Sequence, residues 1–247
     1  MFDRVLMSLA AGLVKLAKHR KPLWIPYGGT RVLIDSHLIT FPILDMLLRH
    51  RYEHFEFEAL SILKRRGLLT RADRALELGV GAGVIGLQIA SIVGDGHYLG
   101  YEANPAVLDL ARRNFALNGM APDLRRRLLV PGGGGARNFA VSSNFTASAL
   151  EARADTVGEV SVETDAFEDV LKRFDPTFLV MDIEGGEKEF FAGVGDFGNI
   201  RLIMLENHFF DAQRPVFEAI VAKLADHGFR EAKDLYTSAS VHLFQRG

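Results

Sequence analysis

The chain alternates between two hydrophobic rhythms. Four short runs are largely apolar: 75–80 (ALELGV), 97–102 (HYLGYE), 178–183 (FLVMDI) and 200–206 (IRLIMLE). Runs of that length predict strands buried on both faces, as in a parallel sheet. Between them apolar residues recur at helical spacing. The expected helices run from about 84 to 93, from Pro105 to the Asn118-Gly119 pair, over 167–174, from about Lys188, and over 215–227 with Gly228 as terminator. Asn104 before Pro105 supplies an N-cap and a first-turn proline. Strand–helix–strand alternation predicts an α/β fold with helices on the faces of a parallel sheet.

The remaining segments carry weaker signals. Residues 24–27 and 31–34 flank Gly28-Gly29 and predict a hairpin. A helix is expected over 38–48, beginning near Pro42, and another over 55–69 with Gly67 as its stop. Residues 128–130 read as a short third strand, 138–143 as an extra strand, 144–155 as a polar loop and 160–164 as extended. PGGGG at 131–135 reads as a surface loop, because no Lys-Ser/Thr pair follows to make it a phosphate loop. Residues 229–233 and 240–245 are expected as two final strands, paired antiparallel. At the start, Phe2, Val5, Leu6, Leu9, Leu13, Val14 and Leu16 mark an amphipathic helix that packs on the domain or on a second copy of the chain. Asp3 and the lack of a small-residue cleavage site argue against a secretory signal.

Composition narrows the function classes. The chain has 247 residues, a formal charge of −2 and no cysteine. Cysteine nucleophiles, thiolate metal sites and disulfides are excluded. The absence of cysteine fits a cytoplasmic protein, and the lack of a basic excess speaks against a nucleic-acid partner.

The chemistry gathers at strand ends. Glu77, Glu102, Asp182 and Glu206 lie in or at the ends of the four apolar runs, where an open parallel sheet places its ligand crevice. The glycine turn has two readings. Gly81, Gly83 and Gly86 fit GxGxxG with an acid about twenty residues on, which would serve NAD or FAD. Glu77, Gly79, Gly81 and Gly83 fit ExGxGxG, in which the glycines admit the methionine part of S-adenosylmethionine and Glu102 accepts both ribose hydroxyls. About seventy residues precede the turn, and no Tyr-x-x-x-Lys pair is present, so the second reading is favoured over an oxidoreductase.

Five blocks sharpen this: YEHFE at 52–56, LELGVGAG at 76–83, YEANP at 101–105, MDIEGGE at 181–187 and LENH at 205–208. On these the chain resembles the FkbM-type methyltransferases from about Tyr52 onward. The resemblance implies a Rossmann-like class I methyltransferase fold, with a seven-stranded mostly parallel sheet whose last strand is antiparallel. It also implies O-methylation of a hydroxyl on a sugar or secondary metabolite. Glu77 stands where many members have Asp, and Gly186 where many have Ala. The expected division is an extension over 1–70 and a methyltransferase domain over 71–247.

The site expected from these motifs places the cofactor among Tyr52, Glu53, Glu77, Gly79, Gly81, Gly83, Glu102, Ala103, Asn104 and Asp182. His208, Asp182 and Glu184 are the catalytic candidates, with His208 as base. Glu53 and Glu56, and likewise Glu187, also read as ordinary first-turn helix acids. No metal is assigned, although Asp182, Glu184, Glu206 and His208 carry donors that suit Mg²⁺. The acceptor is expected to be a small molecule or glycan, and a homodimer is expected from the N-terminal apolar stripe. A methyltransferase-like binding module without turnover is the non-enzymatic alternative.

Overall fold

The computed structural model describes residues 23–35, 38, 40–142 and 156–247. The expected N-terminal helix and the 144–155 loop lie outside the described residues. A hairpin comes first, β1 (Leu23–Tyr27) and β2 (Thr30–Ile34), followed by helices α1 (Phe41–Leu48) and α2 (His54–Arg65). Next come β3 (Ala75–Leu78), α3 (Val84–Val93), β4 (Tyr98–Tyr101), α4 (Pro105–Leu117) and β5 (Asp123–Arg125). Strands β6 (Leu128–Val130), β7 (Ala136–Ser142) and β8 (Thr156–Ala166) precede α5 (Phe167–Phe174) and β9 (Phe178–Met181). The chain closes with α6 (Glu187–Gly193), β10 (Leu202–Glu206), α7 (Arg214–Asp226), β11 (Phe229–Glu231) and β12 (Val241–Arg246).

Seven strands form the main sheet in the order β11-β12-β10-β9-β3-β4-β5. The pairings among β10, β9, β3, β4 and β5 are parallel, and β12 runs antiparallel to both β10 and β11. This is the class I methyltransferase architecture. Alternate residues of each central strand serve opposite faces. Ala75, Phe178, Val180, Leu202 and Met204 pack with α2, α3 and α4 on one face. Leu76, Leu78, Leu179, Met181 and Ile203 pack with α5, α6 and α7 on the other. Every residue of β3, β4 and β9 is buried, which accounts for their unbroken apolar runs.

Two expectations are corrected. The third strand of the main sheet is β5, not 128–130; the latter begins a separate three-stranded sheet of order β6-β8-β7. The edge strand β5 reads Asp-Leu-Arg and buries only Leu124, so no hydrophobic run announces it. The extended segment expected over 160–164 is the middle of the eleven-residue strand β8. Alternating polar residues there reflect a sheet with one open face. Elsewhere the differences are at element ends; the helix expected to reach residue 69 stops at Arg65, and Gly67 follows with a φ of +67°.

The hairpin turns at Gly28 and Gly29, both with positive φ, as a two-residue type I′ turn requires. The side-chain amides of Asn114 in α4 and of Asn118 just after it then stand in for a neighbouring strand. Leu33 N–H donates to Asn114 Oδ1 at 2.7 Å, and Arg31 N–H donates to Asn118 Oδ1 at 2.9 Å. Asn118 Nδ2 returns a bond to the Arg31 carbonyl at 2.8 Å. Asn114 Nδ2 donates to the carbonyl of Ala82 at 2.9 Å, so one fully buried amide ties the hairpin to the glycine turn. Asn114→Leu should therefore leave one N–H and one carbonyl without partners, at a cost of about 1–3 kcal/mol for each. The urea midpoint should fall accordingly; an unchanged midpoint would show that this amide does not hold the hairpin.

Candidate active site

After Leu78 the chain turns through GVGAG. Gly79 has a φ of +85°, and a side chain there would overlap the carbonyl oxygen of Asp182. Glycine thus lets the ends of β3 and β9 lie against one another. Gly81, with a φ of +55°, has open space where a side chain would be. Its N–H donates to Glu102 Oε2 at 2.9 Å, while Asn104 N–H donates to Oε1 at 2.8 Å. Glu102 is thereby aimed across the turn from the end of β4. Burial pushes its pKa up to about 7, against the N–H bonds from Asn104, Gly81 and Ala103.

Glu77 and Gly86 belong to one packing unit. The Tyr98 hydroxyl donates to the Glu77 carboxylate beneath α3, and a side chain at Gly86 would run into both. The third glycine of the literal GxGxxG therefore serves close helix–sheet packing. Burial pushes Glu77 up to about 8, with the Tyr98 bond opposing.

A cavity of about 790 Å³ opens beside the turn. Gly79, Gly81, Glu102 and Ala103 line one part, and Tyr52, Glu53, Glu56, Asp182, Glu184 and Glu206 line another. Arg137 and Phe139 of the small sheet form a further wall. Gly83 and Asn104 do not line the cavity. Gly83 precedes α3 and packs on Ala111 and Phe115, and Asn104 caps α4 by accepting the Ala106 N–H at 3.1 Å. Glu53 and Glu56 are drawn in from the start of α2 and are not solvated first-turn acids; Glu56 is 8% exposed. The Tyr27 hydroxyl bonds the Tyr52 carbonyl, which braces this segment against the hairpin.

The carboxylates press on each other. Burial, then Glu206, Glu53 and Glu184, holds the Asp182 carboxyl well above its usual range. Burial, followed by Glu56 and Glu206, does the same to Glu53, and burial and Glu206 push Glu56 up to about 7. Asp182 keeps a third of its side chain open, yet its Oδ1 is buried with no hydrogen-bond partner. His208 Nε2 stands 3.4 Å from that oxygen and 3.9 Å from Glu206 Oε2. His208 is not itself part of the cavity wall; Asp182 stands between it and the open space. Burial alone would depress its pKa, but the Glu187 hydrogen bond and charge, with Glu206 and Glu184, outweigh that and raise it. Two sets of donor atoms, from Asp182, Glu184 and His208 and from Glu53, Asp182 and Glu206, each fall within 4.8 Å, close enough to hold one cation.

Residues 82–231 match the family model described as the methyltransferase FkbM domain. The chain belongs to the FkbM methyltransferase family. Its cofactor is S-adenosylmethionine. No curated protein matches the chain. Among solved structures it is similar to a ribosomal protein L11 methylase from Lactobacillus delbrueckii subsp. bulgaricus, at 14% identity and a TM-score of 0.46 over 78% of this chain and 79% of that one. A SAM-dependent O-methyltransferase from Thermotoga maritima is similar at 13% identity and a TM-score of 0.44, over 76% and 64%. TYW2 of M. jannaschii, in complex with AdoMet, is similar at 12% identity and a TM-score of 0.46, over 92% and 88%.

In this FkbM chain the structure brings Tyr52, Glu53, Glu77, Gly79, Gly81, Glu102, Ala103, Asp182 and Glu184 to one cavity. Glu56 and the wall from Arg137 and Phe139 were missing from the sequence-derived site. Glu56 follows Glu53 by three residues, a spacing that was readable as one helix face. No signal in the chain ties 137–139 to the cavity. The glycine assignments separate in a paired test. Gly79→Ala should prevent folding or lower stability severely, because a backbone carbonyl must move. Gly81→Ala should cost about 1–2 kcal/mol, the left-handed penalty alone. Denaturant unfolding of both variants checks the contrast, and equal losses would refute it.

Proposed function

We propose that the protein transfers the methyl group of S-adenosylmethionine to a hydroxyl oxygen of a small molecule or glycan. The observation that carries this reading is the cavity itself, which joins the glycine turn and Glu102 to the Asp182 cluster in one space. The cofactor fits the residues present: the open backbone at Gly81 leaves room for its methionine part, and the oriented Glu102 carboxylate offers two acceptors for ribose hydroxyls. Gly79 and Gly83 shape that turn, Ala103 and Asn104 follow the ribose acid, and Tyr52 and Glu53 close over the bound cofactor. Glu77 supports the turn from below. When bound, the sulfonium supplies an electrophilic methyl group, and S-adenosylhomocysteine is the product.

This chain's own residues position the acceptor and take its proton. Asp182 faces the cavity and meets the hydroxyl, with Glu184 beside it. Behind Asp182, the unpartnered Oδ1 and His208 Nε2 form a pair with room for one proton. The hydroxyl proton is handed through Asp182 and finishes on Nε2. Such base assistance matters for an ordinary alcohol, and alignment of the two reactants supplies much of the remaining rate. A cytoplasmic setting, a non-nucleic-acid acceptor and a homodimer complete the reading. Support for the first two comes from the cysteine-free, slightly acidic composition. No helix among the described residues is long and apolar enough to cross a membrane.

Incubation with labelled S-adenosylmethionine and a cell extract should label a hydroxyl-bearing small molecule or glycan. Label found instead on nucleic acid would refute the acceptor class. Glu102→Ala removes a charged acceptor and should weaken S-adenosylhomocysteine binding by about 1.5–3 kcal/mol in titration calorimetry. Unchanged affinity would take Glu102 out of the site. The pH profile of kcat/KM should rise through a limb above 6.5, because the acceptor pair must be unprotonated and the His208 pKa is raised. His208→Gln should lose that limb along with most of the turnover. Loss of transfer on chelator dialysis, restored by Mg²⁺, would reassign the carboxylates to a cation.

A further inference from the structure

One buried acid of the cluster has no place in the scheme above. Glu187 is fully buried at the start of α6 and does not line the cavity. Its position follows from the turn before it. Glu184 has a φ of +54° and Gly185 a φ of +98°, and Gly186 N–H donates to the Ile183 carbonyl at 3.1 Å. The chain thus doubles back, and Glu187 comes to lie beneath Ile183. Glu187 Oε1 accepts the Ile183 N–H at 3.1 Å and lies 3.0 Å from His208 Nδ1. Its other oxygen, Oε2, is buried without a partner. Burying a carboxylate with one oxygen unpaired is costly, so stability alone does not account for this acid.

We infer that Glu187 is a positioning residue: its carboxylate holds the His208 proton on Nδ1 and so leaves Nε2 directed at Asp182 as the acceptor. This deepens the proposal above and rests on His208 being where the proton finishes. As a carboxylate, Glu187 Oε1 has only lone pairs to offer, to the Ile183 N–H and to the ring alike, so Nδ1 meets it as the donor. In the neutral ring the other nitrogen then has the free lone pair. That nitrogen faces Asp182 Oδ1 and, farther off, Glu206 Oε2. With the opposite tautomer, Nε2 would carry a hydrogen and the pair would have no room for the incoming proton. Glu187 does not line the cavity, and its contacts toward the site are the His208 ring and the Ile183 N–H.

Ring nitrogen NMR of the histidine-labelled protein, at a pH above the activity limb, reads the tautomer directly. The neutral His208 ring should carry its proton on Nδ1; a proton on Nε2 in the unmodified protein would overturn the inference, whatever any variant does. Glu187→Met keeps the volume but removes the acceptor. It should lower kcat by about 10- to 100-fold, part of what general base assistance contributes, with KM for S-adenosylmethionine unchanged. Glu187→Gln retains an amide oxygen for Nδ1–H and should recover most of that loss. If Glu187→Met keeps full kcat, or Glu187→Gln is no better than Glu187→Met, the positioning role is wrong. Full turnover in His208→Gln would instead remove His208 as proton acceptor, while the tautomer measurement still reports on the Glu187 contact.

Discussion

The contact on which the site depends is the approach of Gly79 to the carbonyl of Asp182. Strands β3 and β9 are neighbours in the sheet, and Asp182 N–H donates to the Leu78 carbonyl at 3.0 Å just beyond their last paired residues. A side chain at 79 would force these ends apart. With glycine there, the glycine turn and Asp182 share one backbone junction. Glu102 is then fixed to the same turn by the Gly81 N–H. The two ends of the cavity are set by the sheet and not by mobile side chains, which is what alignment of two reactants demands.

The sheet alone does not complete the site. Tyr52 and Glu53 come from the segment before it and are held by the hairpin through Tyr27. The hairpin is in turn held to α4 and the glycine turn by Asn114. A continuous set of buried hydrogen bonds therefore runs from the glycine turn, through the hairpin, to the acids at the start of α2. Residues 51–56, within the span expected as an extension, line the cavity. Burial first, and then Glu56 and Glu206 nearby, raises the proton affinity of Glu53, and burial with Glu206 and Glu53 does the same for Asp182.

Much of this was readable in the chain. Strands buried on both faces announce themselves as apolar runs, and Asn104-Pro105 or Gly28-Gly29 fix local geometry with few alternatives. Strand β5 was hidden because an edge strand needs only one buried residue. The small sheet was misread because its strands alternate and its pairing is nonlocal. Of the residues that line the cavity, Gly79, Gly81 and Glu102 were expected from spacing, whereas Gly83 packs on α4 instead. Glu53, Glu56 and Glu187 read equally well as helix-start acids, since the same residue types at the same positions serve both ends. Burial decides between those readings, and burial depends on how distant segments pack. His208 stood out as a histidine past a strand end, but its place behind Asp182, outside the cavity wall, required the side-chain geometry.

Backbone strain bears on why these acids stay where they are. Glu53 and Glu184 both adopt left-handed φ values, 49° and 54°, that cost a non-glycine residue about 1–2 kcal/mol each. Each sits where the chain must turn sharply to bring a carboxylate to the cavity, one before α2 and one before α6. Such strain persists only when neighbours hold it. The Tyr27 hydroxyl on the Tyr52 carbonyl braces the first turn, and the Gly186 N–H on the Ile183 carbonyl closes the second. Glu187 then clamps the second turn from below through the Ile183 N–H while it reaches His208. A single buried carboxylate thus holds both the strained loop that carries Glu184 and the ring beside Asp182, so the geometry on the two sides of Asp182 is set together.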